Sequence, residues 1–288
     1  HLAVEDLGAL PIPVGPGNTK QQVKIIKDYG TTVLVGTPSY ALRILEELEN
    51  SGIDPEETKL RKFIGAAEPW VTVKGFREDF KRKWKVIKSA IDYYGLGECA
   101  PVSVECLNES GGHIVEDYVY VEVVDPKSGE PLEPEEEGEI VITTLTHDAM
   151  PLIRYRTGDL SYIVDSRECD CGRTHVRIGR IKGRKDDMLI VNGVNIWPKT
   201  IEEVILSFKE TIPQYQIVID NQGVMDKLEI IVEANVRGSE RKMLERKMRD
   251  ALKEAILVTP EVKIVDPGTL LRTDGGKVRR VIDKRKIK

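Results

Sequence analysis

The chain has 288 residues, of which 40% are hydrophobic and 32% are charged, and its formal net charge is −5. This length is enough for about two domains with buried cores, and no window holds the ~18 consecutive apolar residues that a membrane span needs. The net negative charge argues against a general affinity for nucleic acid or for anionic membranes. No basic stretch followed by an apolar core marks a secretory signal, so we expect a cytoplasmic protein.

The first third of the sequence alternates between helix and strand patterns. Helices are predicted at residues 19–30, 38–52 and 71–84, and strands at 31–36, 60–67 and 86–95. Strands separated by helices predict βαβ units and a mostly parallel sheet. Because ligands of such sheets bind at the carboxyl ends of the strands, the loops after Ala67 and Gly95 are the first candidates for a site.

The middle of the chain changes to short strands separated by turns. Strands are predicted at residues 113–126, 129–145 and 153–164. The Pro and Gly residues of the stretch 125–132 indicate a hairpin. The acidic stretch 133–139 is expected to be the exposed connection between strands. This region therefore predicts an antiparallel β subdomain.

The last third predicts a compact unit of about a hundred residues, large enough to fold alone. Short strands precede a helix that has Pro198 in its first turn. The remaining predicted elements are strands at 214–220, 227–236 and 262–266 and a helix at 239–257. We place the domain boundary at residues 184–186.

These patterns predict an α/β fold with two domains. Residues 1–184 are expected to form part of a large domain, with a mostly parallel sheet, helices and an antiparallel β subdomain at about 112–183. Residues 185–288 are expected to form a small, mobile α+β domain.

Four short segments carry residue types suited to nucleotide chemistry. Glycine-rich "YGLGE" presents Glu98 after a strand, and a carboxylate beside phosphates is the usual protein ligand of magnesium. "YRTGD" presents Asp159, which can accept the hydroxyl protons of a ribose. "GRKDD" lies at the domain boundary, and "RTDGGK" places Lys277 behind two glycines in a basic C-terminus. Taken singly, each segment also fits a surface turn or a solvated basic tail.

Together and in this order, the segments resemble the adenylate-forming family of acyl-coenzyme A synthetases, peptide-synthetase adenylation domains and luciferases. The closer resemblance is to phenylacetate–coenzyme A ligases. It covers nearly the whole chain and includes "GAAEPW", "YGLGE", "HIVEDYVYVEVVDP", "GEIVITTL", "PLIRYRTGDL" and "CDCGRTHVRIGRIKGRKDDMLIVNGVNIWPKTIEE". The resemblance implies a two-step reaction. An aromatic carboxylate attacks the α-phosphate of ATP to give an acyl-adenylate and pyrophosphate, and the thiol of coenzyme A then displaces AMP.

The resemblance also implies a role for individual residues. Glu98 is expected to hold Mg²⁺ beside the α-phosphate, Asp159 to bind the ribose, and Lys277 to bridge the attacking carboxylate and the phosphate. Asp186 matches the hinge about which the small domain turns between the two steps. Gly193 belongs to the loop expected to line the coenzyme A thiol tunnel. The further nucleotide-binding residues that the resemblance implies are Gly65, Ala66, Ala67, Glu68, Tyr94, Gly95 and Arg184.

The four cysteines of the chain suggest a metal site. A disulfide framework is not expected in a long chain of this kind. Cys106, Cys169 and Cys171 form a Cys₃His set with His113, and such a set holds a structural zinc ion because four protein ligands close its coordination sphere. Cys99 is an alternative fourth ligand. Buried thiols and a hydrogen-bonded histidine are the alternative to a metal.

Two departures from the family pattern affect the expected function. Gly97 stands where the family has Thr or Ser, whose hydroxyl helps to hold the α-phosphate. No segment matches the family's upstream Ser/Thr/Gly-rich loop that grips the β- and γ-phosphates, so we expect the chain to begin partway through the large domain. It would then be a fragment, a chain completed by a separate chain, or a protein that no longer activates acids.

Three functions follow from these features. The first is an aryl-acid–coenzyme A ligase that uses ATP, magnesium and coenzyme A. The second is an adenylylating synthetase with another acceptor, as in the deazaflavin-type enzymes of the same subfamily. The third is a nucleotide-binding subunit without enzymatic activity. A homodimer is left open, and neither nucleic acid nor a membrane is expected as a partner.

Overall fold

The computed structural model describes residues 1–15, 17–68, 70–72, 75–165, 168–222, 225–270 and 280–286. In these ranges the α-helices are α1 Leu2–Asp6, α2 Thr19–Asp28, α3 Pro38–Asn50, α4 Phe76–Trp84, α5 Pro198–Leu206 and α6 Ser239–Ile256. The strands are β1 Val33–Gly36, β2 Lys62–Ala66, β3 Ser89–Tyr94, β4 Ser103–Glu105, β5 Gly112–Ile114, β6 Val119–Val124, β7 Gly138–Thr144, β8 Tyr155–Ser161, β9 Arg177–Ile178, β10 Gly183–Arg184, β11 Leu189–Val191, β12 Val194–Ile196, β13 Thr211–Gln222, β14 Met225–Ala234, β15 Glu261–Val265 and β16 Val281–Asp283. No α-helix of this described part combines the length and the apolar character needed to cross a bilayer.

The first sheet has six strands in the order β1-β2-β3-β4-β5-β9. β1, β2 and β3 are parallel, and β4, β5 and β9 extend the sheet in antiparallel pairs. Helices α2, α3 and α4 and strand β2 bury apolar side chains in one core, among them Leu48, Phe63, Phe80 and Trp84. The predicted βαβ pattern of the first third is confirmed.

The second sheet is antiparallel and has the order β10-β8-β7-β6. The predicted hairpin joins β6 to β7, where the Asp125 carboxylate accepts hydrogen bonds from the backbone N–H groups of Lys127 and Ser128. The prediction of one continuous strand at 113–126 is wrong. This stretch is divided between β5 of the first sheet and β6 of the second. The polar pair Glu116–Asp117 lies in the turn between them.

The last third forms a four-stranded sheet in the order β15-β14-β13-β16. Side chains of α5 and α6 form one core with it, including Ile201, Ile230, Met248 and Leu252. The predicted boundary at 184–186 falls where β10, which pairs with β8, is followed by the 3-10 helix Lys185–Asp187. The assignment of two independent domains remains a prediction.

Several of the short elements were not predicted, among them α1, β4, β9, β10 and β16. Helix α1 has five residues and buries none of them. Strand β16 lies in the basic C-terminus and runs parallel to β13. A three-residue strand is too short for an alternating pattern to be recognised in the sequence.

The separate cores predict that the two domains unfold separately. Phe63 and Ile230 are fully buried, one in the core beside the first sheet and one in the core of the last third. Phe63→Ala and Ile230→Ala should each lower the free energy of unfolding of their own domain by about 2–5 kcal/mol, because each leaves a cavity. Calorimetry should show one transition shifted in each variant, with Leu2→Ala as an exposed control. A single transition displaced equally by both variants would contradict two independent domains.

Candidate functional site

A deep crevice lies at the carboxyl ends of β1, β2 and β3. Its volume is about 2580 Å³, which exceeds the roughly 300–1,000 Å³ of an ordinary small-molecule pocket. Residues of both predicted domains line it, including Ala66, Tyr94, Asp159, Arg184, Trp197 and Arg280. The crevice therefore has room for more than one small molecule, and its position is the one expected for an α/β sheet.

Tyr94 and Asp159 form the central contact of the crevice. The Tyr94 hydroxyl donates a hydrogen bond to Asp159 Oδ2 at 2.7 Å. Burial and the neighbouring Asp159 carboxylate raise the pKa of Tyr94, so the phenol remains a donor. Arg184 Nη1 lies 3.9 Å from Asp159 Oδ1, and the two residues face each other across β10 and β8. Three predicted nucleotide-binding residues thus meet at one point.

The backbone of β8 explains how Asp159 reaches the crevice. The register between β7 and β8 shifts next to Glu139, which is a bulge-like irregularity. Gly158 takes a positive φ of 78° at this point, a conformation that glycine adopts without the steric cost of a side chain. The Thr157 hydroxyl accepts a hydrogen bond from the backbone N–H of Asp159 at 3.0 Å. Such irregularities redirect side chains next to binding sites.

Glu98 lies on the same wall of the crevice, after β3. Its Oε1 accepts a hydrogen bond from the Tyr155 hydroxyl at 3.1 Å, and its side chain is exposed. Gly95 and Gly97 also line the crevice. A Cβ added to Gly97 would meet no atom within 4 Å. The structure therefore has room here for the Thr or Ser side chain of the family pattern.

The segment after β2 forms the facing wall, with Ala66, Ala67 and Glu68 among the lining residues. Glu68 accepts hydrogen bonds from the backbone N–H and the hydroxyl of Ser39, at 3.0 and 2.5 Å. Ser39 lies in the first turn of α3, where the helix dipole favours a negative charge. Gly65 is buried and is not among the lining residues, because the Trp70 ring covers it so closely that an added Cβ would lie 2.6 Å from the ring.

Three further predicted residues are Asp186, Gly193 and Lys277. Asp186 lies in the 3-10 helix that follows β10, and its side chain is outside the described part of the structure. Gly193 lies in the tight turn between β11 and β12 and is not among the residues that line the crevice. Lys277 is outside the described residues. The roles of all three remain predictions.

The turn at Gly193 is nevertheless held in place. Asn192 and Gly193 have φ values of 51° and 80°, the combination of a type I′ hairpin turn. The Asn192 side chain exchanges hydrogen bonds with the backbone of Asp226, at 2.8 and 3.0 Å. Arg285 binds both the Asp226 carboxylate at 2.7 Å and the carbonyl of Ile190 at 2.8 Å. The C-terminus therefore fixes this loop.

Asp92 is a crevice residue that the sequence did not single out. It lies two residues before Tyr94 on β3, and its Oδ1 accepts a hydrogen bond from Trp70 Nε1 at 2.7 Å. Burial and the nearby Glu105 carboxylate raise the pKa of Asp92 from 3.8 to about 7. The only sequence signal was its position two residues before Tyr94, near the carboxyl end of the same predicted strand.

Arg280 is a second residue that the sequence did not single out. Its guanidinium stacks on the Tyr215 ring at 4.4 Å and donates to Glu202 Oε1 at 2.5 Å. The charges of Tyr215, Glu202 and Glu68 outweigh burial and raise the pKa of Arg280. This cluster therefore presents a cation of the small domain to the Glu68 wall, three residues after Lys277.

The predicted metal ligands come together at the far edge of the first sheet. The ligand atoms of Cys106, His113, Cys169 and Cys171 all lie within 4.8 Å of one another. Cys106 Sγ lies 3.6 Å from Cys169 Sγ, and Cys171 Sγ lies 3.4 Å from His113 Nε2. Thiolates bound tetrahedrally to zinc at 2.3 Å are ~3.8 Å apart. The spacing of the cluster therefore fits a metal ion.

The chemistry of the cluster also fits a cation. Hydrogen bonds, first that from the backbone N–H of Cys171, lower the pKa of Cys169 to about 6, which favours the thiolate that binds metals. Burial raises the pKa of Cys106. Cys99 is not part of this cluster, because it is buried in an apolar core with Val102 and Ile114. Its prediction as an alternative ligand has no support in the geometry.

Both halves of the chain match models of known protein families. Residues 8–146 match the family described as AMP-binding enzyme, and residues 193–285 match its C-terminal domain. The chain is 41% identical to a phenylacetate-coenzyme A ligase of Thermus thermophilus, over 99% of this chain and 68% of that protein. The chain thus spans about two thirds of that relative's length.

Solved structures of a 2-hydroxyisobutyryl-CoA ligase share the fold at 26% sequence identity. In its postadenylation state with R3-HIB-AMP, the TM-score is 0.88 over 99% of this chain and 62% of that one. In its thioesterification state with 2-HIB-AMP and CoA, the TM-score is 0.59 over 98% of this chain and 60% of that one. The structure of this chain is therefore more similar to the former state than to the latter.

The raised pKa of Asp92 predicts a pH-dependent stability. Between about pH 4 and pH 7, Asp92 is protonated in the folded chain and ionised in the unfolded chain. The free energy of unfolding therefore falls as the pH rises through this range. Asp92→Asn removes this effect and keeps the acceptor for Trp70. The variant should gain up to about 1.4 kcal/mol per pH unit relative to the unmodified chain.

Urea unfolding at pH 5, 6 and 7 measures this gain, and the exposed Asp148→Asn variant controls for the change in net charge. A difference between Asp92→Asn and the unmodified chain that stays constant over this range would contradict a retained proton.

Proposed function

We propose that this chain, which belongs to the AMP-binding enzyme family and within it to the phenylacetate-coenzyme A ligases, activates an aromatic acid. Such an enzyme forms an acyl-adenylate from ATP and then an acyl-coenzyme A. The main support is the crevice at the strand ends, where Tyr94, Asp159, Arg184 and Glu98 converge. The similarity to a postadenylation state supports the same conclusion.

The first step would take place with the nucleotide against this wall. Asp159 would accept the ribose hydroxyls, and Tyr94 and Ala67 would enclose the adenine. A carboxylate oxygen of the acid attacks the α-phosphorus, and the bond to pyrophosphate breaks. Glu98 fits a magnesium ligand because its carboxylate is exposed on the crevice beside the expected phosphates. When bound, Mg²⁺ neutralises phosphate charge.

Lys277 would stabilise this step. Negative charge grows on the α-phosphate oxygens as the carboxylate attacks, and one well-placed cation contributes ~3–4 kcal/mol to such a transition state. The glycines at 275 and 276 would let the loop enter and leave the crevice. Arg280, held by Glu202 and Tyr215 on the crevice wall, supports this position because it fixes the chain three residues further on.

The second step would need a different arrangement of the two domains. The small domain would turn about Asp186, withdrawing Lys277 and bringing the Gly193 turn to the crevice. The coenzyme A thiol would then attack the acyl carbonyl and displace AMP. The two TM-scores support the existence of such a second arrangement in this fold.

A polypeptide partner at the β1 edge of the first sheet is also part of the proposal. Within the described residues, β1 pairs with β2 alone. Exposed apolar side chains line the same crevice as β1 and include Leu7, Leu10, Tyr29 and Val35. A polypeptide that carries the phosphate-binding loop would cover this surface. A homodimer and a cytoplasmic location remain predictions.

A structural zinc ion is proposed for the cluster of Cys106, His113, Cys169 and Cys171. Four protein ligands leave no open position, so the ion would stabilise the fold and take no part in the reaction. Cys106 follows β4, His113 lies in β5, and the two other cysteines precede β9. The ion would therefore tie together the three strands that extend the first sheet.

Acid-dependent exchange of pyrophosphate into ATP tests the proposed function directly. A panel of aromatic acids would be measured with and without coenzyme A, and with and without the polypeptide that corresponds to the remaining third of the relatives. Exchange followed by acyl-coenzyme A formation supports a ligase. Exchange without use of coenzyme A supports another acceptor. AMP binding without exchange in any arm would support a nucleotide-binding subunit.

Lys277→Ala should lower the rate of adenylate formation by about 10²–10³-fold, because the growing charge loses its cation. Formation of the thioester from supplied acyl-adenylate should be nearly unchanged. Lys284→Ala is the matched control, since Lys284 is an exposed lysine of the same C-terminus. Equal loss of both half-reactions would rule out the assigned role.

Metal analysis of protein purified without added zinc should find about one zinc ion per chain, as the Cys₃His set requires. Cys171→Ser should lose the metal and lower the melting temperature, whereas Cys99→Ser should keep the metal because Cys99 lies outside the cluster. Clearly substoichiometric zinc in the unmodified protein would contradict the proposal.

A further inference from the structure

We propose that Glu139 is a positioning residue that couples the ribose-binding strand β8 to the hinge between the domains; this inference rests on the proposed function. Glu139 is the last residue of the acidic stretch that the sequence predicted to be exposed. The structure corrects that expectation for Glu139, which is only 2% exposed, while Glu135, Glu136 and Glu137 are exposed. A carboxylate that leaves water in this way needs partners.

The two oxygens of Glu139 bind groups of β8 and the side chain of Lys185. Oε1 accepts the backbone N–H of Gly158 at 3.2 Å. Oε2 binds Arg156 Nε at 3.0 Å and Lys185 Nζ at 3.4 Å. Arg156 and Lys185 outweigh burial and lower the pKa of Glu139, so the group is a carboxylate. One buried charge thus holds three chain segments together.

The partners of Glu139 are the immediate neighbours of functional positions. Gly158 precedes Asp159, the expected ribose ligand, and its backbone conformation aims that side chain into the crevice. Lys185 precedes Asp186, the expected hinge residue, and lies in the segment that joins the domains. The carboxylate therefore bridges the nucleotide wall and the point about which the small domain would turn.

The two cations do not have equivalent surroundings. Arg156 lies on β8 and also donates to the carbonyl of Pro126 at 2.7 Å, so it is fixed within the second sheet. Lys185 lies in the 3-10 helix after β10 and reaches Glu139 from the domain junction. When the backbone at Asp186 rotates, the Lys185 contact can break while Arg156 still neutralises Glu139. The Lys185 contact thus favours the arrangement described here over the other.

Substitutions separate the two roles of Glu139. Lys185→Gln removes only the hinge contact, and Glu139→Gln weakens both contacts. Amide hydrogen exchange of residues 182–188 should become about three- to tenfold faster in both variants, as expected for loss of one partly exposed ion pair. The dissociation constant for AMP should rise severalfold in Glu139→Gln and change less than about twofold in Lys185→Gln. Lys185→Arg keeps a cation at this position and should keep the slow exchange of the unmodified chain.

Arg154→Gln is the control, because it removes the exposed Arg154–Glu122 ion pair of the same sheet and touches neither β10 nor the hinge. Unchanged exchange of residues 182–188 in Lys185→Gln would overturn the coupling. Equal changes in this exchange in Lys185→Gln and Arg154→Gln would also overturn the coupling. Hydrogen exchange needs no turnover, so a chain without ligase activity would refute the proposed function and still allow this test.

Discussion

The site depends on the hydrogen bond between Tyr94 and Asp159, because it joins two separate sheets. Tyr94 ends the last parallel strand of the first sheet, and Asp159 lies on β8 of the second. Both groups are largely out of water, so each would be costly to leave without its partner. The contact adds a polar link to the apolar core that the two sheets share through Ile114, Ile140 and Ile178.

Carboxylates with little exposure recur on the walls of the crevice and behind them, and each is stabilised differently. Asp92 receives an indole N–H and holds its proton to about pH 7. Glu139 is ionised and bound by two cations, and Glu202 lies against Arg280. Buried charges with directional partners limit the positions that a chain can adopt. The walls are therefore well constrained where the proposed nucleotide would lie.

The sequence predicted the elements with strong periodicity, and short motifs identified the wall formed by Glu98, Tyr94 and Asp159. The structural role of Glu139 was not predictable, because its burial comes from a register shift between β7 and β8 and from a contact 46 residues away along the chain. The raised pKa of Asp92 likewise arises from burial and from Glu105, which approaches it only in the folded chain. Long-range contacts of this kind leave no local pattern.

The Cys₃His cluster and the crevice are connected through the first sheet. β3 carries Tyr94 to the crevice and pairs with β4, while β4 and β5 carry Cys106 and His113 to the cluster. The pairs between β3, β4, β5 and β9 are short, so the backbone ladder alone holds this part of the sheet weakly. An ion bound by residues next to three of these strands would supply the missing constraint. A metal distant from the reaction could thus still determine how firmly Tyr94 presents its hydroxyl to Asp159.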